Sequence, residues 1–330
     1  MPSALRLARC ILAPAVLLSL AAPPVAAQDP IARGVRLFEQ GATGAARRAI
    51  EPYAQSHPRD ARAAYYVGLT YFNERNADGA VEWLERAVEL DGRSADHHLN
   101  LGNAYGMKAM SASVIRRALL ARKAKAEFEA AVELAPNSTL AHWGLMRFYM
   151  MAPGILGGDM GKALEQAAEI RRRSPYDGVS AYAAVYGEQG DHEAAAREYE
   201  AALRQFPDSV GMYVALGNTY EKLKRLDACV GVYERLLLRR PQEMTAHYQL
   251  GRLSVLTGRR MDRGEALLRR YLRHTPRGGT EPPLFAAQWR LGTLYERRGR
   301  VDEARASYRA ALALNPDFKD ARESLAKLGS

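Results

Sequence analysis

The chain has 330 residues, of which 48% are hydrophobic, 25% are charged and 8% are aromatic. This composition supplies ample apolar material for a core and excludes an intrinsically disordered protein. The net charge of +10 modestly favours acidic partners or surfaces. No nucleic-acid recognition motif accompanies it, so we expect no nucleic-acid partner.

The N-terminal stretch 1–27 has the form of a secretory signal peptide. A positively charged start is followed by an apolar run too short to span a bilayer, and small residues then precede Gln28. These features are Arg6 and Arg9, the run Ile11–Leu20, and Val25-Ala26-Ala27. Export, together with heavy Arg and Ala usage, predicts the periplasm of a Gram-negative bacterium. No later stretch approaches transmembrane length.

A small-residue landmark recurs at a regular spacing through the rest of the chain. The spacings between successive landmarks are 34, 34, 42, 39, 34, 34 and 41 residues. The basic period is therefore 34 residues, and the longer spacings mark insertions. The landmarks are Gly34, Gly68, Gly102, Gly144, Ala183, Gly217, Gly251 and Gly292.

Each landmark opens the same pattern, whose cleanest copy spans 210–242. An aromatic residue follows three positions later, then a small residue, an aromatic, an apolar residue and a proline. In this copy they are Leu216-Gly217, Tyr220, Cys229, Tyr233, Leu236 and Pro241. The pattern predicts one helix over 210–225 and a second over 226–240 that Pro241 ends. Glycine stands where the two helices of a hairpin must approach closely.

This unit resembles the tetratricopeptide repeat over almost the whole of 28–330, since that family has a period of about 34 residues. The last copy shows the match again at Leu291-Gly292, Tyr295, Ala304, Tyr308, Ala311 and Pro316. The resemblance implies an all-α fold: a right-handed superhelical solenoid of about eight antiparallel helical hairpins. Asp29-Pro30 predicts the first helix start. Residues 317–328 predict a C-terminal capping helix, with Phe318, Ala321, Leu325 and Leu328 on one face.

Three insertions interrupt the period, near 107–126, 152–158 and 277–283. The first has no acidic residue and predicts a lengthened helix that Ser113 caps. It is either a solvated extension or a basic surface for an acidic partner or lipid headgroups. Its basic residues are Lys108, Arg116, Arg117, Arg122, Lys123 and Lys125.

The second insertion holds Ile155 and Leu156 in a glycine-rich loop. We expect these two side chains to pack on the neighbouring hairpin or to form a contact surface. The stretch 157–162 does not match a phosphate-binding loop, because Leu156 and Ala163 replace its first glycine and its Ser/Thr. The third insertion predicts a polar surface crossing.

The sequence indicates no cofactor, no metal site and no catalytic site. The seven histidines form no metal-binding motif, and we expect Asp96-His97-His98 to be capping and surface residues. Cys229, which replaces the usual alanine, predicts a small buried residue and not a reactive thiol. An enzyme would need a pocket between the inserts of the third and fourth repeats, around Asp159, His142 and Lys162.

The resemblance implies a concave groove lined by the first helix of each repeat, where a peptide or partner helix binds. Aromatic and amide groups there suit recognition of a peptide backbone with apolar side chains. The residues carried over to this groove are Tyr65, Tyr66, Phe72, Asn100, Asn103, Phe148, Tyr149, Tyr213, Asn218, Tyr248, Gln249, Arg252, Trp289 and Arg290.

We therefore expect a non-catalytic scaffold or adaptor in the cell envelope that binds a peptide or protein in this groove. Two alternatives stay open at this point. One is a polyanion or lipid-headgroup binder that uses the basic segment 108–125, and the other is an enzyme with the pocket described above. The sequence identifies neither the partner nor the oligomeric state.

Overall fold

The computed structural model describes residues 29–329. Within that range it contains 17 α-helices and no β-strand, which confirms the predicted all-α fold of helical hairpins. The predicted signal peptide lies outside the described residues. The chain divides after Ser111 into two compact units. The sequence predicts one repeat domain over 28–330, and the division falls within that range.

Unit 1 contains two hairpins, α1/α2 and α3/α4, followed by α5, which packs on α4. Asp29 caps α1 by accepting a hydrogen bond from the Ile31 amide (3.0 Å), with Pro30 at the first helical position as predicted. Side chains of Asp60, Asn76 and Ser94 cap the starts of α3, α4 and α5. The helices are α1 (Pro30–Glu39), α2 (Thr43–Ser56), α3 (Ala61–Asn73), α4 (Ala77–Leu90) and α5 (Ala95–Met110).

Unit 2 starts with the long helix α6, continues with five hairpins from α7/α8 to α15/α16, and ends with α17. None of the helices described between residues 29 and 329 has the length and apolarity to cross a membrane. The helices are α6 (Val114–Leu134), α7 (Thr139–Met151), α8 (Met160–Arg173), α9 (Pro175–Glu188), α10 (His192–Gln205), α11 (Val210–Lys222), α12 (Leu226–Arg239), α13 (Met244–Thr257), α14 (Met261–Leu272), α15 (Leu284–Arg297), α16 (Val301–Leu314) and α17 (Lys319–Lys327).

The landmark glycines lie at the closest approach of the two helices in a hairpin. A Cβ added at Gly217 would lie 2.5 Å from the Tyr233 hydroxyl oxygen, and one at Gly292 would lie 2.6 Å from Tyr308. Both tyrosines are fully buried, and each follows its glycine at the same spacing in the repeat. Real Cβ atoms do not approach other atoms so closely, so a larger residue at either position would force the buried tyrosine to shift.

Tyrosines on first helices join successive hairpins by a recurring hydrogen bond. Each hydroxyl donates to a glutamate on the second helix of the preceding repeat. The pairs are Tyr71–Glu51 (2.8 Å), Tyr105–Glu85, Tyr149–Glu129 (3.4 Å), Tyr220–Glu200 (3.1 Å) and Tyr295–Glu265 (3.1 Å). The sequence predicts a space-filling role for the tyrosines three residues after a landmark and a groove position for Tyr149, and it predicts this bond for none of them. The bond adds a directional link between repeats, because a hydrogen bond fixes both distance and angle.

The capping helix α17 replaces the first helix of a further repeat. In unit 1, Tyr65 stands three residues before its landmark and accepts a hydrogen bond from Asn100, 35 residues later (3.0 Å). In unit 2, Trp289 has the same position and donates to Ser324 of α17, also 35 residues later (3.1 Å). Phe318 packs edge-on against Trp289, with ring centroids 5.7 Å apart. The cap therefore satisfies the last hairpin in the way that another repeat would.

The insertions differ partly from expectation. Ser113 precedes α6 as predicted, but its side chain makes no capping hydrogen bond. The second insertion forms a 3-10 turn at Gly154–Leu156, and Ile155 is 92% exposed, so its predicted packing on a hairpin is wrong. Residues 273–283 form an irregular connection, tied down where Tyr271 donates to the Pro282 carbonyl.

We expect Gly217→Ala to destabilise the protein, because its new methyl group collides with the buried Tyr233 ring. Overpacking of this kind costs roughly 1–3 kcal/mol. The free energy of unfolding, measured by chemical denaturation, should fall by about that amount.

Gly231→Ala is the matched control. Gly231 lies inside α12, the helix that carries Tyr233, and a Cβ there meets nothing within 4 Å. Alanine should stabilise this helix by about 0.5–1 kcal/mol, because glycine loses more backbone entropy on folding. Equal effects of the two substitutions would contradict the close approach at Gly217.

Tyr220→Phe tests the link between hairpins. Removing the hydroxyl deletes the bond to Glu200, and for this partly exposed pair we expect a loss of about 0.5–1 kcal/mol in the free energy of unfolding. Tyr186 also stands three residues after its landmark, yet its hydroxyl has no hydrogen-bond partner among the described residues. Tyr186→Phe should therefore change stability by only a few tenths of a kcal/mol, and a matching loss would refute the role of the bond.

Candidate functional site

Unit 1 presents a continuous aromatic cluster on its first helices. Phe38 of α1 packs edge-on against Tyr66 of α3, with centroids 6.2 Å apart, and Tyr66 packs against Tyr65 at 5.4 Å. Tyr65 in turn lies against His97 of α5 at 4.7 Å. The three phenylalanine and tyrosine rings are half-buried, so each keeps part of its surface open to a partner. The cluster crosses three successive repeats.

Polar groups surround this cluster. The Asn100 amide donates to the Tyr65 hydroxyl and to the Asp96 carbonyl (2.9 Å), which fixes its orientation. Burial raises the pKa of Tyr65 to about 12, so its hydroxyl keeps its hydrogen at neutral pH. That hydrogen has no acceptor among residues 29–329. The Arg62 guanidinium stands over the Tyr66 ring at 5.9 Å and is exposed.

An open cavity of about 710 Å³ continues the same surface in unit 1. It shares Arg62 and His97 with the aromatic cluster, and Tyr53 stacks on His57 at its edge with centroids 4.0 Å apart. The remaining lining charges are mixed in sign. The lining residues are Tyr53, His57, Pro58, Arg59, Asp60, Ala61, Arg62, Asp91 and His97. We call the cavity and the aromatic cluster together the unit 1 groove.

Five predicted groove residues lie in the packing of unit 2 and not on an open surface. Each is more than nine-tenths buried, so it offers almost no area to a partner. They are Phe148, Tyr149, Tyr213, Tyr248 and Gln249. Phe148 packs against Phe128, Tyr248 packs against Tyr271, and Tyr213 belongs to the core. The prediction placed these side chains in the groove from their position in the repeat alone. That position does not show which side chains of other helices pack against them.

The other predicted residues of unit 2 are mostly engaged in structural contacts. Arg252 pairs with Glu221 and donates to Gln249 (2.8 Å). Trp289 is held by α17, and Arg290 stands over its ring at 4.2 Å. Asn218 is exposed. In unit 1, Tyr65, Tyr66, Phe72, Asn100 and Asn103 are all half-buried on α3 and α5.

Phe38, Arg62 and His97, like the other residues that line the cavity of the unit 1 groove, were not predicted from the sequence as groove residues. Phe38 was detectable, because it stands four residues after its landmark as Phe72 does after the next one. His97 was expected on the surface but is 7% exposed, with Nδ1 3.2 Å from the Ala87 carbonyl oxygen. Ser94, not Asp96, caps its helix. Nothing in the sequence signals the stacking of His97 on Tyr65.

The basic segment is divided between the two units. Lys108 lies in unit 1, where it pairs with Asp78 (2.9 Å). The remaining five residues belong to α6 in unit 2. Lys125 is half-buried and pairs with Glu129 (3.5 Å), while the four others are exposed: Arg116, Arg117, Arg122 and Lys123.

The residues of the alternative enzyme pocket have separate structural roles. His142 is buried, with Nδ1 2.7 Å from Gln166 and Nε2 3.0 Å from the Pro136 carbonyl oxygen. Asp159 caps α8 by accepting from the amides of Gly161 (2.8 Å) and Lys162 (3.1 Å). Gln166, the residue that contacts His142, follows Asp159 by seven residues, which is roughly 10 Å along α8. His142 and Asp159 therefore make their contacts at different points of this helix.

The described residues hold no group of three His, Cys, Asp or Glu side chains that could bind a metal ion. Cys229 is fully buried and donates to the Gly217 carbonyl (3.4 Å). Burial, with the Glu221 carboxylate nearby, raises the pKa of its thiol to about 12. This agrees with the predicted small buried residue.

Comparison with known proteins gives matches to one family. Three models described as tetratricopeptide repeat match residues 31–95, 188–253 and 285–318, together half of the chain. No curated protein matches it.

Three solved structures are similar to this chain. Yeast Tom70 has a TM-score of 0.55 at 13% identity over 87% of this chain and 58% of its own, a likeness of fold alone. A tetratricopeptide repeat protein of Thermus thermophilus has 0.48 at 23% identity over 58% and 97%. One from Parabacteroides merdae has 0.47 at 13% identity over 82% and 99%.

We expect Cys229 to resist alkylation in the folded protein. At pH 8 its raised pKa leaves roughly a thousandth of the thiolate of an ordinary cysteine, and burial also blocks the reagent. Treatment with iodoacetamide, followed by mass spectrometry of the peptide containing residue 229, should show no adduct until denaturant is added. Rapid labelling of the native protein would make a reactive role for this thiol tenable again.

Proposed function

The chain belongs to the tetratricopeptide repeat family, whose repeats generally mediate protein–protein interaction, and we propose that it is a non-catalytic scaffold. The unit 1 groove holds a peptide segment of a partner protein. The continuous aromatic cluster on α1, α3 and α5 is the observation that carries this proposal.

The chemistry of the unit 1 groove favours an extended segment with apolar side chains. Tyr65, Tyr66 and Phe38 offer rigid aromatic faces, which gain contact area with little loss of side-chain entropy. The Tyr65 hydroxyl hydrogen and the exposed Arg62 guanidinium are donors for backbone carbonyls or a carboxylate of the segment. Mixed charge around the cavity indicates that apolar contact and backbone recognition dominate over net charge.

The proposed location is the cell envelope, with export to the periplasm. The N-terminal sequence supports it through a positive start, a short apolar run and small residues before Gln28. An exported chain with one cysteine in its mature part has no internal disulfide, so packing alone must stabilise the fold. The repeats supply this packing through the buried hairpin contacts at Gly217 and its counterparts.

Site-specific photo-crosslinking in the native host tests the groove. A photo-reactive amino acid in place of Tyr66 should capture a protein partner that mass spectrometry identifies. The same amino acid in place of Leu90 is the matched control, because Leu90 is exposed on α4, the second helix of that hairpin. Capture at 90 and not at 66 would overturn the proposed groove.

The identified partner then allows a quantitative test. Tyr66→Ala should weaken binding by about thirtyfold, as expected for a central aromatic contact worth about 2 kcal/mol. Leu90→Ala should leave the dissociation constant within about twofold. Both variants must keep the thermal melting profile of the parent chain. Unchanged affinity of folded Tyr66→Ala would show that the partner binds elsewhere.

A further inference from the structure

Helix α6 has two apolar faces, and only one of them is covered within the described structure. Ala121, Ala124 and Phe128 are buried and form the inner face. Ile115 and Leu119, one turn apart, are 85% and 59% exposed. At 3.6 residues per turn these two side chains lie on the side opposite the inner face. The first half of α6 therefore presents an apolar ridge to solvent.

The second insertion adds another exposed apolar side chain beside the same helix. The turn Gly154–Leu156 packs on α6, and a Cβ at Gly157 would lie 3.5 Å from Cδ of Lys125. Ile155 on this turn is the most exposed large apolar residue described, at 92%. Exposed apolar side chains scattered singly need no explanation, but a concentration at two insertions indicates a contact surface.

Basic side chains flank the ridge. On the helical projection, Arg122 lies on one side of Ile115 and Leu119, and Lys123 lies on the other. No acidic residue occurs on α6 before Glu127. Arg116 and Arg122 are exposed and form no ion pair within residues 29–329. Their charge is thus left for an external anion.

We propose that this surface, residues 114–123 with Ile155, binds an anionic lipid membrane. Ile115 and Leu119 insert at the boundary between headgroups and acyl chains, and the flanking Arg and Lys side chains contact lipid phosphates. The outer side of a helix is a convex ridge, so a flat bilayer covers it without a complementary cleft. This inference is separate from the unit 1 groove, since it uses residues of unit 2 alone.

A local readout is needed, because the apolar run Ile11–Leu20 of the full chain would also bind lipid. A photo-reactive amino acid replaces Ile115, and in a matched chain it replaces Leu238, which is 84% exposed on α12. Both proteins are illuminated with vesicles of phosphatidylcholine, with or without phosphatidylglycerol. We expect lipid adducts at 115 with the anionic vesicles, few with the neutral ones, and few at 238 with either.

Substitutions separate the apolar contribution from the charge. Ile115→Gln with Leu119→Gln, and Arg116→Glu with Arg122→Glu, should each lower the yield of lipid adducts at a photo-reactive residue 155 by about tenfold with the anionic vesicles. Leu238→Gln is the control for the apolar substitutions. Arg197→Glu with Arg309→Glu is the control for the charge substitutions, because Arg197 is exposed on α10 and Arg309 is exposed on α16. The controls should stay within about twofold of the parent chain.

Either of two results would overturn the proposal. One is equal lipid labelling at 115 and 238, and the other is lipid labelling at 155 that the α6 substitutions lower no more than their controls do. Labelling of an acidic protein at 115 in the native host, without lipid labelling in vesicles, would instead assign the surface to a protein partner. Raised salt should weaken binding to the anionic vesicles, because the lipid–arginine attraction is screened.

Discussion

The structure depends on the close approach of two helices at the small landmark residue of a hairpin, which is glycine in the described hairpins except α9/α10, where it is Ala183. At Gly217, Gly251 and Gly292 a single carbon atom would meet the side chain of the partner helix at 2.5–2.6 Å. The large residue at that point, Tyr233, Leu268 or Tyr308, is fully buried. Its ring or branched chain fills the space that a Cβ would need. This contact therefore fixes the position of one helix along the other, which in turn sets the direction of the other side chains of the repeat.

The contacts between hairpins follow from that fixed position. Because each first helix has the same position in its hairpin, a tyrosine three residues after the landmark reaches a glutamate on the preceding repeat. Tyr71 and Tyr220 make this bond across 20 residues, at 2.8 and 3.1 Å. On the other side, Tyr65 and Trp289 stand three residues before the landmark and bond to a polar residue 35 positions later. The repeats that carry these residues thus have a polar link to a neighbour in addition to their apolar contacts.

The helical hairpins and their close approach at the landmark residues were predicted from the sequence, whereas the polar links between repeats and the exposure of the groove residues were not. The spacing of the glycines and aromatics is sufficient to predict the hairpins, since each contact is between residues of one repeat. Exposure in the groove depends instead on which side chain each residue meets, in its own hairpin or in the next repeat. Tyr65 and Tyr248 have the same register, yet Tyr65 meets His97 of the following repeat and stays half-buried, while Tyr248 meets Tyr271 of its own hairpin and is buried. The shared register does not show which of these contacts a side chain makes.

The insertions also show that the exposure of an apolar side chain depends on what packs against it. Most apolar side chains in register pack against their own or a neighbouring repeat, with exceptions such as Leu238 of α12, which is 84% exposed. Ile115, Leu119 and Ile155 lie where the first two insertions move the chain out of register. No repeat faces them in unit 2, and they remain exposed. Apolar side chains at such positions gain nothing from the fold itself. Their presence beside unpaired Arg116 and Arg122 is therefore better explained by contact with an external surface than by packing.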